Sequence, residues 1–411
     1  MARHHFRHTW PQRLIFGFNL LIALGLVVGG ASLVYANQRV TNRKVVTINP
    51  AGQKTVADGP VPADQLDDIP EGDLSTKNFL ITGRDNNACV DRKNEYQKSV
   101  GERTGYAGLT DTIMIIRVNP KENQAAVLSF PRDLYVKIAK SDSKNRINTA
   151  FRPNEPQRLV DTIMTNFGIG VDHYLAVDFC AFKTIVNAID GVRIPFAFPA
   201  RDKNTNFYVK SAGCAKLDGD DALAYVRSRH YAYFDTKKNK WVGDPSGDWG
   251  RIARQQDFLR RVLRAALDKG VTNPAVANQL LGAALKNVVT DDNLSPLNML
   301  QLARAMRNVS EKDVRTYTVD GVMKRIGGQS VIEPIMKSDS MEAVLSIFRG
   351  TASISEGNAQ LNQIDAAVGS GRGIKTDTTT TTSVPGELNQ TLAQQRFSVT
   401  PPNDQIGRAH V

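Results

Sequence analysis

The sequence predicts an α/β fold: a mixed central β-sheet sandwiched by α-helices, preceded by a single transmembrane helix. Three observations lead there. Short apolar runs at 78–82, 112–118 and 125–130 read as strands. Helical patterns follow at about 154–167, 178–189, 219–226, 250–268, 273–286 and 295–307, and this mixing without strict alternation points to a mixed sheet. Leu14–Ala36 is 23 residues without a charge, long enough to span a bilayer with some tilt.

From the N-terminus, residues 1–13 are expected in the cytoplasm and 14–36 in the membrane. Val34-Tyr35-Ala36 is acceptable as a signal-peptide cleavage site, but such apolar regions are normally about 7–15 residues, so an uncleaved anchor is favoured. Arg3, Arg7 and Arg13 precede the span, and Arg39, Arg43 and Lys44 follow it. With 13 residues before it and 375 after it, the N-terminus is placed inside and the body outside. Residues 37–73 carry Pro50, Pro60, Pro62 and Pro70 and read as an extracytoplasmic linker with one short strand at Val45–Ile48. The body, 74–350, opens with the strand at Asn78–Gly83 and a polar loop over 86–109. Thr112–Val118 is nearly continuously apolar, which implies burial on both faces. A turn at Asn119–Asn123 leads to the strand Ala125–Phe130. Residues 351–411 turn to Gly, Ser, Thr, Asn and Gln, with five threonines at 378–382, and are expected to be disordered.

The net charge of +11 suits nucleic acid, an anionic membrane or a phosphorylated substrate. A cytoplasmic stretch of 13 residues has no room for a helix-turn-helix, so no nucleic-acid partner is expected. Cys89, Cys180 and Cys214 fit no zinc spacing. Cys180 lies in the apolar stretch FCAF and reads as buried, which leaves Cys89–Cys214 as the expected disulfide.

Strands 112–118 and 125–130 are joined by a turn short enough for an antiparallel hairpin, which sets Asp111 beside Arg132 and Asp133. If 78–82 also pairs antiparallel with 112–118, Asp85 joins them; the long intervening loop equally permits a parallel crossover. Such a group is either a surface ion network or a Mg²⁺ site, since Mg²⁺ is often held by one or two carboxylates plus substrate phosphates. Tyr225-Val-Arg-Ser-Arg229 reads as a β-like alternation that puts Arg227 and Arg229 on one face. In DWGRIARQQDFLRR (248–261), Asp248 reads as a helix N-cap. Ile252, Phe258, Leu259, Val262, Leu263 and Ala266 share a core-facing sector, and Arg260, Arg261 and Arg264 fall on the solvated side. Arg251 and Gln255 lie inside the apolar sector, where both burial and the helix dipole oppose a cation unless an anion is bound. Arginines 132, 227, 229, 251 and 254, if they converge, exceed the nearby acids and match phosphate oxygens.

Several motifs occur together in one order: GRD at 83–85, TDTIMI at 110–115, FPRDLYV at 130–136, RINTAF at 146–151, DHYLAVDF at 172–179, NAIDGV at 187–192, LDGDDALAYVRSRH at 217–230 and DWGRIARQQ at 248–256. The set resembles the LytR-CpsA-Psr family of cell-wall assembly enzymes over about 74–350 and the N-terminal anchor. The resemblance implies an extracytoplasmic phosphotransferase that moves a glycopolymer from a polyprenyl (undecaprenyl or decaprenyl) pyrophosphate carrier onto peptidoglycan through a phosphodiester. It implies Asp85, Asp111, Arg132 and Arg251 as the catalytic set, with Mg²⁺ on Asp85 and Asp111. Arg132, Arg227, Arg229, Arg251, Arg254 and Gln255 would bind the pyrophosphate, and Asp248 would orient Arg251. Phe130, Ile163, Phe167 and Phe258 would line a lipid pocket. The sequence does not identify a general base; Asp111 and Asp133 are the candidates. The sequence departs from the family pattern at Asn87 and Ala181. The stretch 230–247 is also longer than expected and reads as a flap or acceptor surface. A lipid-pyrophosphate phosphatase using the same site and a non-catalytic cell-envelope regulator are the alternatives.

Overall fold

In chain order, the computed structural model begins with β1 (Val45–Val46), β2 (Lys77–Arg84), β3 (Thr112–Asn119) and β4 (Gln124–Phe130). A short hairpin, β5 (Tyr135–Lys137) and β6 (Lys144–Arg146), precedes α1 (Gln157–Phe167), β7 (His173–Asp178) and α2 (Phe179–Ala188). Then come β8 (Val192–Phe196), β9 (Ala200–Asp202), β10 (Phe207–Val209), β11 (Gly213–Leu217) and α3 (Gly219–Arg227). They are followed by β12 (Ala232–Asp235), β13 (Lys240–Gly243), α4 (Gly247–Thr272), β14 (Val289–Asp291) and α5 (Pro296–Ala305). β15 (Val314–Thr318), β16 (Gly321–Ile326), β17 (Gln329–Pro334), α6 (Asp339–Arg349) and α7 (Ile354–Gly369) are the last of the described elements. The structure describes residues 44–50, 75–84, 110–272, 282, 288–310 and 313–369. The expected span Leu14–Ala36, the helical pattern at 273–286 and the threonine-rich segment lie outside the described residues, apart from Gly282. No helix among the described residues is long and apolar enough to cross a membrane.

The central sheet has the order β1-β14-β7-β2-β3-β4-β15, mixed as expected. β2 pairs antiparallel with β3 and parallel with β7. β3–β4 is the expected hairpin, and β15 lies parallel to β4. Successive strand residues point to opposite faces, and both faces are covered. Leu80, Ile113, Ile115, Ala126 and Leu128 meet residues of α1, α6 and α7 in one core. Phe79, Met114, Ala125 and Val127 meet Leu302 of α5 and Leu259 and Leu263 of α4 in another. The continuous apolar runs thus reflect a layer buried on both sides.

A third cluster is built from β8–β11, α2, α3 and the other flank of α4, with Phe258 buried and Val262, Ala265 and Ala266 packed on it. α4 therefore buries two stripes where the periodicity predicts one. Arg260 and Arg261 consequently sit at the margins of these stripes, each paired with Asp257, and are not fully solvated; only Arg264, with a side chain 59% exposed, matches that expectation. Gln256, itself buried, pins the helix to the sheet. Its Nε2 donates to Ser129 Oγ at 2.9 Å, Tyr317 O at 2.8 Å and Thr318 Oγ1 at 3.2 Å.

Four other expectations are corrected. Residues 225–229 are not a strand: α3 runs to Arg227 and ends at an extended Ser228. Asp218 caps it by accepting from the N–H groups of Asp220 and Asp221, and its apolar residues from Ala222 to Val226 are buried, which outweighs the local alternation. Asp248 lies inside the first turn of α4, one residue past its start. Cys180 is disulfide-bonded and only half-buried, while Cys214 is free and exposed, so Cys89–Cys214 is not the pair; Cys89 lies outside the described residues. The tail does not lose structure at 351. Ser353 and Glu356 form a reciprocal capping box at the start of α7, and that helix buries Ile354 and Leu361.

Candidate active site

The site lies at the rim where the parallel strands β7, β2, β4 and β15 end and β3 begins, the edge at which open α/β sheets bind ligands. Asp111 enters it because it immediately precedes β3, whose Thr112 pairs with Gly83 of β2. Thr110, fully buried, clips the two strand ends by donating to Gly83 O at 2.7 Å and Thr112 O at 2.8 Å. A Cβ on Gly83 would come within 3.0 Å of Thr112 Cβ. Asp85 follows β2 directly but lies outside the described residues.

Three arginines reach Asp111 from three elements. Arg132, just after β4, donates through Nη1 to Oδ1 at 2.7 Å. Arg229, just after α3, places Nη2 2.8 Å from Oδ2. Arg251, in the second turn of α4, brings Nη1 to 3.9 Å from Oδ2. Asp248 holds Arg251 at 2.9 Å, the contact expected of it, and also approaches Arg229 Nε at 3.5 Å. Gln255 joins them, its Nε2 donating to Thr112 Oγ1 at 3.3 Å and Val226 O at 3.1 Å.

Two other expected ligands stand differently. Arg227 sits one strand along the same rim, its guanidinium 4.8 Å over the ring of Phe179, which follows β7. Arg254 is turned into the protein. It donates to Asp244 Oδ2 at 3.1 Å and Ser228 O at 2.7 Å and lies 4.7 Å over the Tyr231 ring. Gly250 permits this approach, because a Cβ there would meet Ser246 Oγ at 2.0 Å and Asp244 Oδ2 at 2.8 Å. Arg146 and Asp133 belong to the site although neither was assigned a binding role from sequence. Asp133 accepts from Arg132 Nε and Arg146 Nη1, both at 3.3 Å. The conspicuous arginine that opens RINTAF was the available signal.

Burial alone would push the Asp111 carboxyl up, but Arg229, Arg132 and Arg251 overcome this and hold it below the usual carboxylate range. Burial lowers the Arg251 guanidinium below its ordinary value, with Arg229 and Arg132 adding to the effect against Asp248 and Asp111. Arg251 is 2% exposed, and its Nε is buried without a hydrogen-bond partner, as is that of Arg146. A buried cation already repelled by its neighbours is stabilised by an incoming anion, and α4 points its N-terminus at the same place. Asp111, firmly ionised and ion-paired, is poorly suited to act as a general base near neutral pH.

Of the residues expected to line a lipid pocket, Phe130, Ile163 and Phe167 share the core beneath this rim, with the rings of Phe130 and Phe167 5.1 Å apart. Phe258 belongs to the cluster around β8–β11, so the four do not line one cavity.

The LytR_cpsA_psr family model matches residues 48–350. The chain belongs to the LytR_cpsA_psr family. Among relatives, the polyisoprenyl-teichoic acid–peptidoglycan teichoic acid transferase TagU of Bacillus cereus is 30% identical over 214 residues, 52% of this chain and 64% of its own length. The probable cell wall biosynthesis protein LcpB of Corynebacterium glutamicum is 29% identical over 231 residues, 56% of this chain and 52% of its own. The chain thus spans between half and two thirds of the length of these two relatives. Solved structures share the fold of this family member. The LytR-Csp2A-Psr enzyme from Actinomyces oris matches with a TM-score of 0.53 at 22% identity, covering 74% of this chain and 96% of that one. TagV of B. subtilis matches with a TM-score of 0.52 at 23% identity, covering 71% and 99%.

Proposed function

We propose that this protein is a cell-wall glycopolymer transferase, anchored in the membrane with residues 74–350 outside the cytoplasm. It takes the polymer from a polyprenyl pyrophosphate carrier and joins it to peptidoglycan. The observation that carries the reading is the cluster of Arg132, Arg229 and Arg251 around one ionised aspartate at a helix N-terminus, a surplus of forked donors that suits a pyrophosphate. Family membership and the names of the relatives support it.

In the reaction, a peptidoglycan hydroxyl oxygen attacks the phosphorus that carries the polymer's sugar. A new P–O bond forms, the P–O–P bridge breaks, and polyprenyl monophosphate leaves; the hydroxyl proton is released with it. Phosphoryl transfer depends mainly on positioning and charge stabilisation, which Arg132, Arg229 and Arg251 supply at the phosphate oxygens. Arg227 and Gln255 extend the same wall. Asp248 keeps Arg251 aimed.

Mg²⁺ fits the oxygen chemistry of Asp111, with Asp85 as the second carboxylate. Both Asp111 oxygens already face arginines, so a cation is favourable here only together with the pyrophosphate. When bound, Mg²⁺ would neutralise negative charge on the pyrophosphate.

The test is transfer from a synthetic polyprenyl-pyrophosphate sugar to peptidoglycan by the purified full chain in detergent, with and without Mg²⁺. Phosphodiester-linked product is expected. Release of polyprenyl phosphate that never depends on peptidoglycan would replace this reading with the phosphatase.

A further inference from the structure

The stretch that sequence reading took for a flap or acceptor surface forms a hairpin, β12–β13, built into a four-stranded sheet of order β10-β9-β12-β13. Its register sorts the side chains. Tyr208 lies opposite Arg201, Arg201 opposite Ala232, and Phe234 opposite Trp241, which places all five on one face. The other face carries Ala200, Asp202, Phe207 and Val209, all buried. The first face is therefore the outward one. Tyr208 is 58% exposed there, and Trp241 and Phe234 are half-buried.

The outward aromatics are held as a platform. Arg201 lies 4.0 Å over the Trp241 ring, and Phe234 meets Trp241 edge-on at 5.5 Å. Exposed Lys203, Lys210, Lys237, Lys238 and Lys240 lie on these strands or the turns beside them, Lys238 pairing with Asp235 at 3.4 Å. Asp235 is the acid on the hairpin, and it is engaged in the turn by the N–H groups of Lys237 and Lys238. Aromatic area and a cationic rim left uncovered on one face mark an interaction surface.

The platform is continuous with the active site. Asp202, on its inward side, accepts from Ser228 Oγ at 2.6 Å and His230 N at 2.8 Å, the two residues that flank Arg229. β13 runs through Asp244, the partner of Arg254, into the helix that carries Arg251.

We infer that this face is the acceptor subsite, binding a peptidoglycan strand. The inference rests on the transferase reading above. Pyranose rings present apolar C–H faces that stack on Trp241 and Tyr208. The carboxylates of the stem peptides complement the lysines and Arg201. A polymer so held extends along the sheet while one of its hydroxyls reaches the arginine cluster. An anionic membrane is the other surface with this charge, but the hairpin tip, Thr236-Lys-Lys-Asn239, offers no apolar side chain to insert.

The experiment is co-sedimentation of the full chain, in detergent, with purified peptidoglycan sacculi and no lipid donor. Wild type and Arg251→Ala are expected to bind alike. Trp241→Ala and the fold-neutral surface variant Tyr208→Ala should each weaken binding about tenfold and raise the acceptor KM while leaving the donor KM unchanged. Failure of the wild type to sediment, or wild-type affinity in both aromatic variants, overturns the inference. So does a loss that appears only with phosphatidylglycerol vesicles. Sacculus binding without any transfer would instead sink the transferase reading and leave the platform standing, whereas transfer with an unchanged acceptor KM would do the reverse.

Discussion

Where β2 and β4 end, the guanidiniums of Arg132, Arg146, Arg229 and Arg251 share the carboxylates of Asp111, Asp133 and Asp248. At the opposite rim of the same sheet, the polar groups around Asn78 are just as dense but satisfy one another. Asn78 Nδ2 donates to Gly170 O and Phe348 O, both at 2.8 Å, and Oδ1 accepts from Arg117 at 3.0 Å. Asn78 N donates to Asp172 Oδ2 at 2.7 Å, and Asp291 receives Tyr174 N at 2.9 Å. One rim has donors to spare and the other spends them on its own carbonyls. On the proposed reading the first receives the pyrophosphate, and the second ties α6 to the sheet.

Arg251→Ala tests that contrast most severely. Transfer kcat/KM should fall about 10²–10³-fold with an unchanged circular dichroism spectrum, and near-normal turnover would remove the site. Arg251→Lys should recover little, because a point charge does not reproduce the fork. Arg254→Ala, three residues along the same helix, should show the opposite profile. It strands Asp244 and Ser228 O, and about 3–5 kcal/mol of unfolding free energy should be lost in urea titration, with kcat/KM changed only a few-fold well below the melting temperature. At the satisfied rim, Asn78→Ala should lose about 1–3 kcal/mol and no activity; a large kinetic defect there would break the comparison.

The smallest effect is electrostatic. Asp111 titrates below its ordinary range when folded, so its stabilisation is present at neutral pH and is lost as pH falls through the folded value. The Tm difference between wild type and Asp111→Asn should stay level from about pH 8 to 5 and close below about pH 4. A difference that changes between pH 6 and 8 would show the carboxyl to be protonating there instead.

Much of this was legible in the sequence because the decisive signals are local. The hairpin at 112–130 fixes Asp111 beside Arg132 through register alone, and the misplaced cation at Arg251 follows from helical phase. The rest depends on tertiary choices. Whether Tyr225–Arg229 alternates or coils is decided by burial of Ala222 to Val226. β9 and β10, three residues each, carry too little periodicity to announce a sheet. The Asp133–Arg146 pair spans thirteen residues and arises only from the β5–β6 turn. Cys180 sits in an apolar run yet opens α2, and the helix carries it to a half-exposed position.

Gln255 and Gln256 divide the labour of α4: the first faces the arginines and the second locks into Ser129 and Tyr317. Neighbouring positions on a helix differ by about 100°, so inserting or deleting one residue between Arg251 and Gln256 cannot keep both the arginine cluster and the seat on the sheet. Either the helix leaves its seat on the sheet, or Arg251 swings away from Asp111. The hairpin tip at 236–239 faces no such constraint. Chain-length variation in this part of the protein is therefore tolerable at the tip and forbidden between Arg251 and Gln256.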